Sequence, residues 1–291
     1  MATVGGVVLR SADVLRKAGI DSAATDARLL AGAALNLDRA GLLAERDRAL
    51  TAADVAAVEV LVRRRLAREP VSRILGRREF WSLDLRITAA VLDPRPDSET
   101  LVATVLDLVD DRQAPWLVLD LGTGSGCLLL ALLTELPRAR GIGVDLCPAA
   151  LACARANARR LGLGDRACFV AADWAGSLAC EAFHIVVTNP PYIATGGLDS
   201  LPPEVARYDP PRALDGGADG LAVYRRLVPQ IAGLLRPDGI AAVEVGAGQA
   251  AEVAGLLSRH RLSVVDVRRD LAGIERCVAA QNRVGIPAEN G

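Results

Sequence analysis

The sequence predicts an α/β fold: a parallel sheet covered by helices on both faces, preceded by a small all-helical domain and a β-hairpin linker. Three observations predict it. From Asp97 onward, short continuous apolar runs alternate with helical stretches, the pattern of strands buried on both faces. Before about residue 70, apolar residues recur only at helical spacing. Between these regions, "REFWSLDLRIT" sets Leu83, Leu85 and Ile87 against Ser82, Asp84, Arg86 and Thr88, the alternation of a strand in a hairpin.

Taken in order, Ser11 is expected to cap a short helix that ends near Gly19, and "SAATDARLLAGAAL" forms a second helix after Ser22. Thr51 begins a third, in which Val55, Val58, Val62 and Leu66 share one face until Pro70 stops it. Seven strands are expected after the hairpin, at 116–121, 140–146, 167–172, 184–188, 240–245, 262–267 and 276–281. The last of these lie close together in sequence, which favours antiparallel pairing at that edge. The expected domains are a helical 1–72, a hairpin linker 73–93, and an α/β domain 94–291.

Composition narrows the function. Of 291 residues, 51% are hydrophobic and only 3% aromatic, so the core is aliphatic. The 34 basic and 35 acidic residues nearly cancel, which argues against a general electrostatic grip on nucleic acid or an anionic membrane. The six cysteines form no C-x-x-C pair, and most sit in apolar segments; they read as small buried hydrophobes of a reducing compartment. His184 and His260 are too few and too isolated for a histidine-based metal centre, and no metal is expected. The N-terminus lacks the basic start and apolar stretch of a signal peptide, and no segment has the length of a membrane span. A soluble, cytoplasmic monomer is the expectation.

"VLDLGTGSGCLLLALL" runs from strand through a glycine-rich turn into a helix. Gly122, Gly124 and Gly126, with Thr123 and Ser125 between them, allow a tight turn and close approach of a ligand. The amides of the turn and of the following helix can receive an anionic group. No Lys follows, so it is not a P-loop, and Cys127 stands where a dinucleotide fingerprint has its third glycine. Asp145 ends the next strand, 23 residues after Gly122, where a carboxylate can accept both hydroxyls of a ribose. Its other reading is a cap for the helix that follows. Asp173 and Trp174 end the third strand, where a polar group beside an indole can bond and stack a purine; packing of a loop by Trp174 is the alternative. The ordering is more specific than any one element. Amino-acid carboxylate, ribose and adenine in that sequence describe S-adenosyl-L-methionine.

The fourth strand ends in "NPPY", residues 189–192. Pro190 and Pro191 stop the strand, and a residue before proline is held extended, so Asn189 is a short polar group on a stiff support. Methylating a planar amide or exocyclic nitrogen is difficult because its lone pair is delocalised and its proton is too weakly acidic to remove. The Asn189 side-chain oxygen and the Pro190 carbonyl can instead accept both N–H bonds, orient the nitrogen and stabilise its developing charge. The Tyr192 ring can pack on the planar group. No base is needed at the start, because the proton becomes acidic once the methyl is attached.

An Asn-Pro-Pro-Tyr sequence after the fourth strand resembles the signature of methyltransferases that act on such nitrogens. "GRREFWSLDLRITAAVLDPRPDSETLV", "DLGTGSG", "NPPYI", "LPPEVARYDPPRALDGGADGLAVYRRL" and "DLAGIERCVAA" are similar to the bacterial release factor glutamine methyltransferases, the PrmC/HemK family, over essentially the whole chain. That resemblance implies a seven-stranded Rossmann-like class I methyltransferase domain behind a helical substrate-recognition domain. It implies methylation of the glutamine amide in the Gly-Gly-Gln motif of peptide chain release factors, with S-adenosyl-L-methionine as cofactor. It implies cofactor contacts from Gly122 to Gly126, Asp145, Asp173, Trp174 and Asn189, and substrate contacts from Asn189, Pro190, Pro191 and Tyr192. Residues 94–99, "PRPDSE", would line the cofactor pocket and support the active-site loop. Asp93 departs from the apolar residue more usual there.

Other readings stand beside this one. A ribosomal-protein glutamine methyltransferase would use the same chemistry. So would an adenine-N6 DNA methyltransferase, but the chain has neither a target-recognition domain nor net basicity, and no direct DNA binding is expected. The seven arginines from Arg63 to Arg78 are read as a solvated face, with a dock for the release factor or RNA as the alternative. An NAD-dependent oxidoreductase would explain the glycine turn and Asp145 but not Asn-Pro-Pro-Tyr. A cofactor-binding scaffold without activity is a further class.

Overall fold

The computed structural model describes residues 1–176, 178 and 180–282, in which the chain forms two compact units. The first is Met1–Arg77 together with Pro202–Tyr208; the second is Arg78–Leu201 with the chain from Asp209 onward.

The first unit contains helices α1 (Val4–Lys17), α2 (Ala23–Leu35), α3 (Arg39–Ala44), α4 (Ala52–Leu66) and α5 (Val71–Leu75). Val7, Leu15, Ala27, Leu30, Val58 and Val62 meet in its core. α1 starts earlier than expected. Its cap is Thr3, whose hydroxyl accepts the Gly6 amide at 3.1 Å, whereas Ser11 lies buried within the helix. Gly5 and Gly6 make that first turn read as loop. Thr51 does cap α4, in a reciprocal box with Asp54. α4 ends at Leu66, with Arg68 taking a left-handed φ of 71°, so Pro70 opens the short helix α5 rather than closing α4. α3 and α5 escaped the sequence reading because six and five residues are too few to show a period.

The arginine-rich stretch is not wholly a solvated face. Arg65 is buried, donating from Nε to Asp26 at 2.7 Å and from Nη1 to Glu204 of the returning segment at 3.1 Å. Glu204 lies in the short helix α9 (Pro203–Ala206) and also receives Arg68 at 3.3 Å, while the Tyr208 hydroxyl donates to the Ala67 carbonyl. Arg63, by contrast, is exposed.

The second unit opens with the hairpin β1 (Arg77–Phe80) and β2 (Leu83–Arg86). Its two turn residues, Trp81 and Ser82, both have positive φ, as a tight hairpin turn requires. Glu99 and Glu135 fix the turn by accepting the Trp81 backbone and indole N–H groups, each at 2.8 Å. There follow α6 (Glu99–Leu108), β3 (Leu117–Leu121), α7 (Cys127–Glu135), β4 (Arg140–Asp145), α8 (Pro148–Arg160), β5 (Ala167–Ala171), β6 (Phe183–Thr188), α10 (Ala222–Leu234), β7 (Leu235–Glu244), α11 (Ala250–Arg259), β8 (Ser263–Arg269) and β9 (Glu275–Gln281).

The sheet runs β5-β4-β3-β6-β7-β9-β8, parallel except that β9 is antiparallel to both β7 and β8. All seven expected strands are present, and the close-spaced final pair is antiparallel as anticipated. Successive residues of the central strands face opposite cores. Val118, Ile185 and Ile240 pack with α6, α7 and α8, while Leu119, Val186 and Ala241 pack with α10 and α11. This is a Rossmann-like sheet, buried on both faces. The cysteines divide unevenly. Cys147, Cys153 and Cys277 are buried, but Cys168, on the outer face of edge strand β5, and Cys180 are exposed, contrary to the reading of them as core hydrophobes. Among the described residues no helix is long and apolar enough to cross a membrane.

Candidate active site

Four neighbouring strands deliver the site. Register pairs Leu121 with Val144 and with Thr188, and Asp145 with Ala171. The residues that follow, Gly122, Asn189 and the pair Asp173 and Trp174, therefore emerge beside Asp145 at one edge, the carboxyl ends of the parallel strands. Between β3 and β6 the order of the strands reverses, the position at which open α/β sheets bind ligands.

The turn after β3 is held by its backbone. The Gly122 and Thr123 amides both donate to the Val144 carbonyl, at 2.9 and 2.8 Å, and the Gly124 amide donates to Asp145 Oδ2 at 2.9 Å. Gly122 has φ +77°, which strains any side chain, and a Cβ there would stand 3.3 Å from the Trp174 ring, so the indole would have to give way by a few tenths of an ångström. Asp145 Oδ1 accepts the Cys147 amide at 2.8 Å, just ahead of α8. The cap of α8 is Cys147, with no side-chain bond, so Asp145 closes a two-residue turn ahead of the helix rather than capping it, and each carboxylate oxygen keeps a further lone pair for a ligand.

Gly122, Thr123, Gly124, Ser125, Asp145, Asp173, Trp174, Asn189 and Pro191 share the lining of one cleft, which the 94–99 segment enters through Pro94, Arg95 and Ser98. The cleft holds ≈1080 Å³ of empty space, its open mouth included. Gly126, Pro190 and Tyr192 do not line it. Gly126 starts α7, and its Cβ would press on Leu130 and Ala154. Asp173 pairs with Arg226 of α10.

Asn189 is half-buried, and its Nδ2 donates to Ser98 Oγ at 3.1 Å. Among the described residues no donor is bound to its Oδ1. Tyr192 sits in a cradle of glycines. A Cβ at Gly216 would stand 2.7 Å from Tyr192 Cα, one at Gly220 2.5 Å from its carbonyl oxygen, and one at Gly246 3.0 Å from its ring. Gln249 Nε2 donates to the Tyr192 carbonyl at 3.0 Å, and Ile193 and Gly216 are joined by a backbone bond at 2.8 Å. The glycine-rich "LDGGADG" is therefore a bed for the tetrapeptide's main chain.

Two buried carboxylates back the site. Asp120 on β3 accepts the Thr123 hydroxyl at 2.6 Å through Oδ2, while its Oδ1 has no partner; burial pushes its pKa up to about 7. Glu244 at the end of β7 is likewise raised by burial to about 7, against the lowering effect of Ser98 and of Arg276. The Tyr192 hydroxyl lies 3.5 Å from Glu244 Oε1, and burial raises the phenol's pKa. Arg95 bonds the buried Asp209 at 2.6 Å, and Arg212 reaches the Cys147 sulfur at 3.4 Å. The sequence reading passed over Asp120, Asp209, Glu244 and Gln249. For Asp120 and Glu244 a signal was there: a lone carboxylate inside an otherwise apolar strand has no packing reason to exist.

Comparison with known proteins gives these positions a context. The family described as "PrmC N-terminal domain" matches residues 8–76, and "Methyltransferase small domain" matches residues 97–200. The chain is 49% identical to the release factor glutamine methyltransferase of Rhodospirillum rubrum over 98% of its own length and 86% of the relative's. It is 48% identical to that of Bradyrhizobium diazoefficiens, over 92% of this chain and 91% of that one. Among solved structures, a methyltransferase from Pyrococcus furiosus is 14% identical, with a TM-score of 0.50 over 69% of this chain and 90% of that one, a likeness of fold. The seven-stranded domain is accordingly of the class I methyltransferase type.

Proposed function

The chain belongs to the release factor glutamine methyltransferases, and from that membership we propose that it methylates the side-chain amide nitrogen of the glutamine in the Gly-Gly-Gln motif of peptide chain release factors. S-adenosyl-L-methionine is the methyl donor in this reading, and the site's residues fit it. The turn at Gly122 leaves room beside its backbone, and Asp120 keeps an unpartnered buried oxygen at the cleft wall. Gly122 to Ser125, Asp145, Asp173 and Trp174 would hold it, with Asn189 at its reactive end. When bound, it supplies an electrophilic methyl group.

The chain's own residues do the rest. Asn189 Oδ1 and the Pro190 carbonyl accept the two N–H bonds of the incoming amide and fix the nitrogen's direction. They also stabilise the positive charge that grows on it, an interaction stronger in the transition state than in the ground state. Pro190 and Pro191 keep those acceptors from swinging away. Tyr192, bedded on its glycines, offers a face to the planar amide. The helical unit would recognise the protein substrate, and an enzyme of translation would act in the cytoplasm.

One observation carries the reading: Asn189 at the cleft, with Nδ2 engaged by Ser98 and Oδ1 unbound. Radiolabelled methyl transfer to purified release factor, beside a release factor whose Gly-Gly-Gln glutamine is alanine, tests it. Label is expected only in the first. Asn189→Ala should abolish that transfer while cofactor affinity stays within about threefold; activity surviving the change would refute the acceptor role.

A further inference from the structure

Gln249 stands in the turn between β7 and α11, 57 residues beyond Tyr192, and is not among the residues that line the cleft. It occupies the cap position of α11, yet its side chain makes no cap bond. Its carboxamide instead meets three backbones. Nε2 donates to the Tyr192 carbonyl at 3.0 Å and, more weakly, to the Gly220 carbonyl at 3.4 Å, while Oε1 accepts the Gly246 amide at 2.9 Å. Both N–H bonds and the oxygen are therefore spent. A carboxamide turned over by half a turn would set NH₂ against the Gly246 amide and oxygen against two carbonyls. Two glycines make room for its two ends: a Cβ at Gly220 would stand 2.7 Å from Nε2, and one at Gly246 2.7 Å from Oε1.

We propose that Gln249 is a positioning residue that fixes the main chain of Asn-Pro-Pro-Tyr, so that the Pro190 carbonyl and the Tyr192 ring face the incoming amide. The inference rests on the methyl-transfer reading above. Pro190 and Pro191 have no N–H, so their own backbone cannot anchor the stretch by donating. The next amide, that of Ile193, donates to the Leu214 carbonyl at 3.0 Å. The peptide unit joining Tyr192 to Ile193 is thus held on opposite sides, its N–H by Leu214 and its C=O by Gln249. Without the second bond the unit can roll, which turns Tyr192 and the prolines ahead of it relative to Asn189.

The hold is electrostatic, and that sets the test. In Gln249→Glu an ionised carboxyl offers only acceptors to the two carbonyls and repels them, whereas a protonated one donates as the amide did. Gln249→Met keeps the length of the side chain and never donates. Other charges face Tyr192: Glu244 of β7, Arg276 of β9, and Arg95 and Asp97 ahead of α6. The Tyr224 hydroxyl of α10 lies 3.5 Å from Gln249 Oε1. All of these are common to parent and variants, so the ratio of variant to parent is read at each pH.

In transfer to release factor at about pH 8, both variants should lose about 10- to 100-fold in kcat, with cofactor affinity within about threefold. Towards about pH 5.5 the Gln249→Glu enzyme should recover to within about threefold of the parent, because surrounding carbonyl oxygens raise its carboxyl above the usual range. Gln249→Met should stay impaired throughout. A merely structural defect would move both variants alike at every pH. Hydrogen exchange supplies a measurement that needs no substrate: the Ile193 and Gly216 amides should exchange faster in Gln249→Met than in the parent. A Gln249→Glu ratio that ignores pH, or parent-like kcat and exchange in Gln249→Met, overturns the inference. Failure of the unmodified protein to methylate release factor would instead overturn the function, while the exchange comparison would still decide whether Gln249 holds the tetrapeptide.

Discussion

Replacing Gly216 by alanine should damage catalysis without touching the cleft. The added carbon would lie 2.7 Å from Tyr192 Cα and 2.8 Å from both the Tyr192 carbonyl carbon and the Gly220 oxygen. These are backbone atoms, so no side chain can swing aside. Carbon atoms sit comfortably at about 3.5 Å or more, so the tetrapeptide must retreat by about 0.8 Å or the Gly216 loop must move by that much. Overpacking of this kind costs about 1–3 kcal/mol, and a displacement near 1 Å of a positioning group costs about 10²-fold in rate. The expected result is a kcat for release factor methylation reduced by about 10- to 100-fold, with cofactor affinity by calorimetry near that of the parent. Gly196→Ala is the control, since a Cβ there meets nothing within 4 Å. A Gly216→Ala enzyme within twofold of the parent in kcat would refute the view that this loop holds Tyr192 in register.

Further expectations concern stability. Arg65→Ala should destabilise the helical unit by about 3–5 kcal/mol in urea melts, because the buried Asp26 would lose its cation and Glu204 would keep only Arg68; a change below about 1 kcal/mol would mean the cluster is held by packing alone. Asp120 has its carboxyl raised from 3.8 to about 7, so the folded protein holds that proton more tightly than the unfolded chain does. Its contribution is fully present below pH 3.8 and is lost as pH rises to about 7. Measured against Asp120→Asn, parent stability should therefore fall across that window, by at most about 1.4 kcal/mol per pH unit, and level off above it. Parallel stability curves for the two proteins would count against a buried proton on Asp120.

The seven strands were legible because each carries an apolar run bounded by polar or glycine-rich sequence, a pattern that burial on both faces imposes on the central strands and only weakly on the edge strands β5 and β8. The glycine turn, Asp145, Trp174 and Asn189 were legible as a set because each ends a strand on the same edge. What stayed hidden depends on distant partners. Nothing local says that Glu244 faces Tyr192 or that Arg65 meets Glu204, since those pairs lie far apart in the chain. Thr3 was missed in favour of Ser11 because Gly5 and Gly6, weak helix formers, disguise the first turn. "LDGGADG" offered its glycines openly, but that they make room for another segment's backbone, rather than for their own turn, is a property of the folded chain.

The segment Pro202–Tyr208 has a consequence for how the polypeptide is made. A ribosome releases the first 77 residues early, yet the acid that completes their buried Arg65 is synthesised only after the hairpin, four strands of the sheet and their helices. Until then Arg65 has Asp26 alone, and the amino-terminal helices form an unfinished body. Cutting the chain at Arg77 would yield one fragment missing its acid and another carrying an orphaned strap.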